Sequence, residues 1–219
     1  MSRAWPDLSV SEEIRNHTIR LLRPFRPDGA TLRLVRWKDA GLAVSKDFLD
    51  SPALYRRTVG RFLIAREVAA YRRLSGVPGL PRLLAHPHPE ILVLEHIPGT
   101  EVRRLGPGEL PPEALTQLRQ TLEGMHRAGI LHLDLGHDSN GDFGRDTNMI
   151  WSEHGQLYLV DLAGALLMPL PAPLFRVLAR HDRLALTKLR QRFFGGTGPE
   201  PDEVLPAWAW RLFRALRKV

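Results

Sequence analysis

The sequence predicts an α+β protein of two lobes, a small antiparallel sheet followed by a reduced, mostly helical part. Three observations lead to this class. Residues 18–48 contain three short apolar segments separated by turn residues, which is the pattern of an antiparallel sheet. One helix and one strand follow, and the composition shifts at a Pro-Gly turn after Ile97. Helical patterns then dominate. We therefore predict lobes at residues 1–97 and 98–219.

The first lobe supplies the sheet. Its predicted strands are TIRLL, TLRLVRW and GLAVSKDF, joined by the turns RPDGA and KDAG. The imperfect alternation of Leu32 and Leu34 with Arg33 and Val35 favours a sheet covered on one side. Tyr55 to Leu74 has apolar residues at helical spacing. A short buried strand, EILVLEHIPG, leads into the Pro-Gly turn.

The second lobe begins with a helix that opens at a Pro-Pro pair and ends at Gly129. A polar stretch follows, GILHLDLGHDSNGDFGRDTNMIW. A hairpin overlaps its end, NMIWSEHGQLYLVDL, and turns at His154-Gly155. Helices separated by GGTGPEPDE complete the chain.

Composition excludes several classes of function. The chain has no cysteine, so disulfides, thiolate metal sites and cysteine nucleophiles are excluded, and we expect a cytoplasmic protein. The start, MSRAWPDLSVSEE, has no apolar run typical of a signal peptide. A net charge of +7 favours an anionic partner. A GC-rich genome, which favours arginine in its proteins, would explain the charge equally well. No zinc finger or RNP sequence is present, so nucleic-acid binding is not expected.

Lys46 lies on the third predicted strand among apolar neighbours. It shares a face with Val44 and Phe48, so it would point inward and require a carboxylate partner. Glu67, in the middle of the following helix, is the candidate. The pair alone is weak evidence, because such residues are usually solvated.

The order of the polar residues carries more information. The strand with Lys46 and the helix with Glu67 are followed by LVLEHI and then by His132-x-Asp134. Asn148 comes next, just before an apolar strand, and Asp161 follows a second apolar strand. Over roughly residues 18–165 this order resembles the protein kinase-like fold. Within that fold the chain is most similar to the compact bacterial lipopolysaccharide core (heptose/Kdo) kinases, and also resembles RIO-type kinases. GRFLIAREVAAYRRLSGVPGLPRLL and LVLEHIPGTEV carry the similarity to the lipopolysaccharide branch.

The resemblance implies ATP and Mg²⁺ as cofactors. In the second lobe, Asp134, after His132, would accept the proton of the acceptor hydroxyl. Asn148 and Asp161 would ligate the magnesium ions, for which hard oxygen ligands are required.

The first lobe would then be the nucleotide side. Lys46 would hold the α- and β-phosphates, and Glu67 would orient it. LVLEHI would be the hinge between the lobes, with backbone groups at Glu95 and Ile97 facing adenine.

The polar stretch has an unusual length. Thirteen residues separate Asp134 from Asn148, where the kinase pattern has four. Asn140 is nearer the usual distance but precedes Gly-Asp, whereas Asn148 precedes the apolar MIW. We predict Asn148 as the ligand, with Asn140 as the alternative. The insertion, residues 135–147, either contacts the acceptor or is a surface excursion.

Two other motifs in this stretch are discounted. The literal Asp-Phe-Gly at Asp142 precedes the hairpin, whereas the metal-binding aspartate should follow it, as Asp161 does. A calcium loop also fails, because Phe143 stands at the glycine position and Met149 at the glutamate position.

Departures from the kinase pattern shape the functional prediction. PFRPDGAT has one glycine where three would cradle phosphates, Leu133 replaces the arginine of the catalytic loop, and no A-P-E sequence follows Asp161. The missing peptide-docking segment favours a non-protein acceptor. We predict an ATP-dependent kinase for a hydroxyl of a lipopolysaccharide-type sugar or another small or lipid-linked molecule. The alternatives are an atypical Ser/Thr protein kinase and a non-catalytic pseudokinase.

The C-terminal AWAWRLFRALRKV has one apolar and one basic helical face. It predicts a last helix packed on the second lobe or, alternatively, peripheral contact with anionic lipid at the inner membrane face.

Overall fold

A computed structural model of the protein describes residues 9–26, 29–38, 41–135, 148–167, 169–196, 198–206 and 208–209. These residues belong to two compact units. The first comprises Met1–Ser75 with Pro81–Ile97, and the second comprises Gly76–Leu80 with Pro98–Val219.

The first unit is built on a five-stranded antiparallel sheet in the order β1-β2-β3-β5-β4. The strands are β1 (Thr18–Arg23), β2 (Thr31–Arg36), β3 (Leu42–Asp47), β4 (Leu83–His88) and β5 (Ile91–Glu95). The three predicted N-terminal strands and the strand in EILVLEHIPG are therefore confirmed.

Helices flank this sheet. Helix α1 covers Ser9–Asn16. One turn at Ala53–Tyr55 and a π-helical turn at Arg56–Gly60 lead into helix α2, Arg61–Arg73. The helix predicted from Tyr55 to Leu74 is thus present, with a π-helical start.

The prediction of a sheet covered on one side was wrong. Val10 and Ile14 of α1 pack against Val35, Ala43 and other apolar side chains on one face of the sheet. The opposite face also contains buried side chains, at Leu34 and Lys46. Val10 and Ile14 are four positions apart in SVSEEIRN, so they form one buried apolar stripe along α1.

The second unit combines two helices with a small sheet. Helix α3 spans Glu113–Arg127 and helix α4 spans Ala172–Phe194. The strands β6 (Gly99–Glu101), β7 (Met149–Ser152) and β8 (Leu157–Leu159) pair antiparallel in that order. The predicted hairpin is β7–β8.

The core of the second unit lies between its helices and the loop after α3. Leu118, Leu122 and Met125 of α3 are buried. Leu131, after α3, packs with Leu178 of α4 and neighbouring apolar residues. Among the described residues, no helix is both long and apolar enough to cross a bilayer.

Candidate functional site

The first unit holds a buried ion pair. Strand β3 places Lys46 opposite Leu32 of β2 and Leu92 of β5. Helix α2 supplies Glu67, and its Oε2 lies 2.7 Å from the Lys46 Nζ. The side chains are only 6% and 1% exposed. The predicted pairing is confirmed, and burial makes each charge depend on the other, because an unpaired charge would lose its hydration without compensation.

Asp47, the next residue on β3, points to the other face of the sheet. Its Oδ2 accepts a hydrogen bond of 3.0 Å from the Arg33 Nε. Burial raises the pKa of Asp47, and Arg33 opposes that rise. Since neighbouring strand residues face opposite sides, Asp47 does not compete with Glu67 for Lys46.

In the second unit, His132 is an internal support of the loop that follows α3. The ring is fully buried. Its Nε2 lies 3.2 Å from the Val160 carbonyl, and its Nδ1 lies 3.4 Å from the Asp134 backbone nitrogen. A carbonyl accepts and an amide donates, so the neutral tautomer with a proton on Nε2 satisfies both contacts. His132 thus positions Asp134, and its buried ring is not exposed to an acceptor.

Asn148 lies beside Asp134 despite the residues between them. The Asn148 Nδ2 donates to the Asp134 backbone oxygen at 2.7 Å and to its Oδ2 at 3.2 Å. Both partners are acceptors, so the amide nitrogen must face Asp134, and no described residue donates to the Asn148 Oδ1. Both side chains are half-buried and accessible.

Asp161 belongs to the same cluster. It precedes a 3₁₀ turn, Leu162–Gly164, and its Oδ1 accepts the Ala163 N–H at 3.3 Å. A Cβ built on Gly164 would lie 3.4 Å from the Asp134 Cβ, so this turn packs directly against Asp134. The Val160 N–H donates to the Asn148 carbonyl at 2.9 Å. The segments that carry the two predicted metal ligands therefore both lie beside Asp134.

Backbone strain concentrates at this cluster. In the described part of the chain four non-glycine residues have positive φ, and three are here: Leu133 (61°), Asn148 (48°) and Asp161 (63°). Such conformations cost about 1–3 kcal/mol each and persist where surrounding contacts fix them, often at functional sites.

Asp182 of α4 fixes the loop, and the sequence analysis missed it. Its fully buried carboxylate accepts the backbone N–H groups of His132 at 2.9 Å and Leu133 at 2.7 Å. His126 of α3 also binds it, with Nε2 at 2.9 Å from Oδ2. Burial alone would raise the pKa of Asp182, but the hydrogen bond and charge of His126 outweigh it, so the pKa lies below the ordinary value. The stretch RHDRLAL gives no local signal of this role, because Asp182 stands there among other charged residues, as in an ordinary solvated helix face.

The predicted adenine-facing residues lie at the end of β5. The Glu95 N–H donates to the Arg82 carbonyl at 2.9 Å. The Glu95 carboxylate binds the Arg82 guanidinium at 3.1 and 3.2 Å. An adenine contact here would depend on the Glu95 carbonyl and on the N–H of Ile97, a residue that is 8% exposed.

Several predicted features lie outside the described residues. These are Asn140, the Asp-Phe-Gly at Asp142, most of the 135–147 insertion and the basic C-terminal segment.

Comparison with known proteins identifies the fold. No protein-family model and no curated protein matches the chain. Two crystal structures of the Rio2 kinase from Chaetomium thermophilum do match. The ADP/Mg²⁺-phosphoaspartate complex gives a TM-score of 0.61 at 15% identity, covering 96% of this chain and 69% of that one. The other structure gives 0.59 at 16% identity, covering 96% and 70%. The chain has the predicted α+β, protein kinase-like fold, and nothing in these matches supports the lipopolysaccharide branch.

Replacing Asp182 tests the support of the loop. Asp182→Asn removes the charge that binds three donors, so we expect a loss of about 2–4 kcal/mol in the free energy of unfolding, measured by urea denaturation. Asp202→Asn is the control, because Asp202 forms an exposed ion pair with Arg183 at 3.2 Å, worth about 0–1 kcal/mol. Equal losses in the two variants would contradict the assigned role of Asp182.

Proposed function

We propose that the protein is a kinase that transfers the γ-phosphate of ATP to a hydroxyl group of its acceptor. The observation that carries the proposal is the cluster of Asp134, Asn148 and Asp161. It combines a carboxylate suited to accept a proton with two oxygen ligands suited to magnesium, and all three side chains are half-buried. A cluster that served only to stabilise the fold would need neither accessible side chains nor a strained backbone.

The cluster divides into roles by its hydrogen bonds. Asn148 donates its amide nitrogen to Asp134, so its Oδ1 is the atom that would bind a cation. The Asp161 carboxylate, which also accepts the Ala163 N–H, would be the second ligand. The Asn148 amide also orients the Asp134 carboxylate, the group that would accept the acceptor's hydroxyl proton. Magnesium, when bound, would neutralise charge on the transferring phosphoryl group.

Lys46 would bind the ATP phosphates, held in place by Glu67. The burial of this pair supports the role, because the Glu67 carboxylate fixes the Lys46 ammonium at 2.7 Å.

The acceptor is proposed to be a sugar-type, small or lipid-linked molecule. The supporting observation is the short path after Asp161: a 3₁₀ turn, a bridge from Leu166 to Leu131, and then the start of α4 at Ala172. This leaves little chain for docking an extended peptide. A second candidate function is that of an atypical Ser/Thr protein kinase. The similarity to Rio2 kinase is the observation that favours it.

The choice of aspartate is tested by mutation. Asp161→Asn should lower magnesium-dependent ATP turnover by roughly two or more orders of magnitude, because the lost charge weakens metal binding. Asp142→Asn is the matched control in the literal Asp-Phe-Gly and should retain most activity. A loss in Asp142→Asn as large as that in Asp161→Asn would contradict the assignment of the Asp-Phe-Gly as a decoy, and a loss in Asp142→Asn alone would make Asp142 the metal ligand.

The acceptor class is tested with γ-labelled ATP and magnesium. We expect label on a lipopolysaccharide core sugar fraction and none on casein. Label on the chain itself or on casein, located by mass spectrometry, would instead support the protein kinase. ATP binding without transfer to any acceptor would support a non-catalytic module and contradict the proposed function.

A further inference from the structure

The outer face of the helical run 53–73 exposes large apolar side chains. Leu54 is 79% exposed, Phe62 is 64% exposed and Val59 is 41% exposed. These values are high for leucine and phenylalanine in the described part of the first unit, where most large apolar residues pack into the core. This face is distinct from the one that carries Glu67.

The exposed residues recur along the run. Phe62 and Arg66 are four residues apart in α2 and lie on one side of it, and Leu54 precedes Phe62 across the π-helical turn. The buried residues of α2 occupy the opposite side: Ile64, Glu67, Val68, Ala70 and Tyr71. The Arg66 guanidinium lies 5.9 Å from the centre of the Phe62 ring. The face therefore carries two exposed apolar side chains, Leu54 and Phe62, and a cation beside the Phe62 ring.

The helical run 53–73 carries a strong excess of positive charge. Residues 53–73 contain six arginines, and Glu67 is their only acid. Glu67 is buried against Lys46, so it does not offset the surface charge. Glu90 pairs with Arg56 and Arg61. The described residues provide no ion pair for the remaining positions Arg57, Arg72 and Arg73.

We propose that this face binds the surface of an anionic phospholipid membrane. Leu54 and Phe62 would enter the interface between headgroups and acyl chains, and the arginines would contact lipid phosphates. The high exposure of Leu54 and Phe62 means that they project from the surface and do not line a groove, which suits a deformable lipid surface better than a rigid protein partner. Attachment of this kind is peripheral.

The proposal does not depend on the kinase assignment. If an acceptor is lipid-linked, the same contact would bring the protein to it. Membrane binding and phosphoryl transfer are measured separately, so either can fail without the other.

The test is sedimentation of the full chain with vesicles. Wild type should bind phosphatidylcholine vesicles that contain phosphatidylglycerol, bind pure phosphatidylcholine weakly, and dissociate as salt rises. The double variant Leu54→Ser/Phe62→Ser should bind roughly tenfold or more weakly, because it lacks the two apolar side chains that would enter the membrane interface. Arg72→Gln/Arg73→Gln should lower binding to anionic vesicles by a similar factor, since each arginine contributes about fivefold.

The matched control is Ile19→Ser, which removes a 51% exposed apolar side chain from β1 of the same unit. It should bind as wild type does, and circular dichroism should show all variants folded. No vesicle binding by wild type, as expected for a face that binds an acidic protein, would overturn the proposal. So would wild-type binding by the Leu54→Ser/Phe62→Ser variant, which would place the contact elsewhere.

Discussion

The buried carboxylate of Asp182 is the constraint on which the second unit depends. It accepts the backbone N–H groups of His132 and Leu133 and is joined to α3 through His126. A buried carboxylate is costly unless its hydrogen bonds are satisfied, so its donors are strongly held. Leu133 keeps a left-handed conformation that a branched apolar residue would otherwise avoid. The direction of the chain into Asp134 follows from this contact.

In each unit, contacts with neighbouring residues hold the residues of the proposed function in place. In the first, Glu67 holds Lys46 in a buried pair, and loss of either charge would strand the other. In the second, Asn148 and Asp161 each have positive φ, and each makes a local hydrogen bond, to Asp134 and from Ala163 respectively. The strain is maintained by neighbouring contacts, which is the arrangement expected where a site must be formed before its ligand arrives.

Much of the fold was predictable from local patterns, because strands β1–β3 and helices α2 and α3 have clear periodicity. The pairing of Lys46 with Glu67 was predictable from an inward-facing charge. Helix α1 was missed because its eight residues offer only one apolar pair. Asp182 was missed because its role is non-local: its partners are backbone groups about fifty residues away, which leave no mark on side-chain patterns. The short strands β4 and β6 are defined by their partners more than by their own sequence.

The proposed binding of ATP and magnesium is tested most directly by a crystal structure with a non-hydrolysable ATP analogue and magnesium. We expect magnesium bound by side-chain oxygens of Asn148 and Asp161, with the Lys46 ammonium on the phosphates. A metal ion held by Asn140 or Asp142 would contradict the ligand assignment. A nucleotide bound away from Lys46, or no nucleotide bound at saturating concentration, would contradict the proposed kinase function.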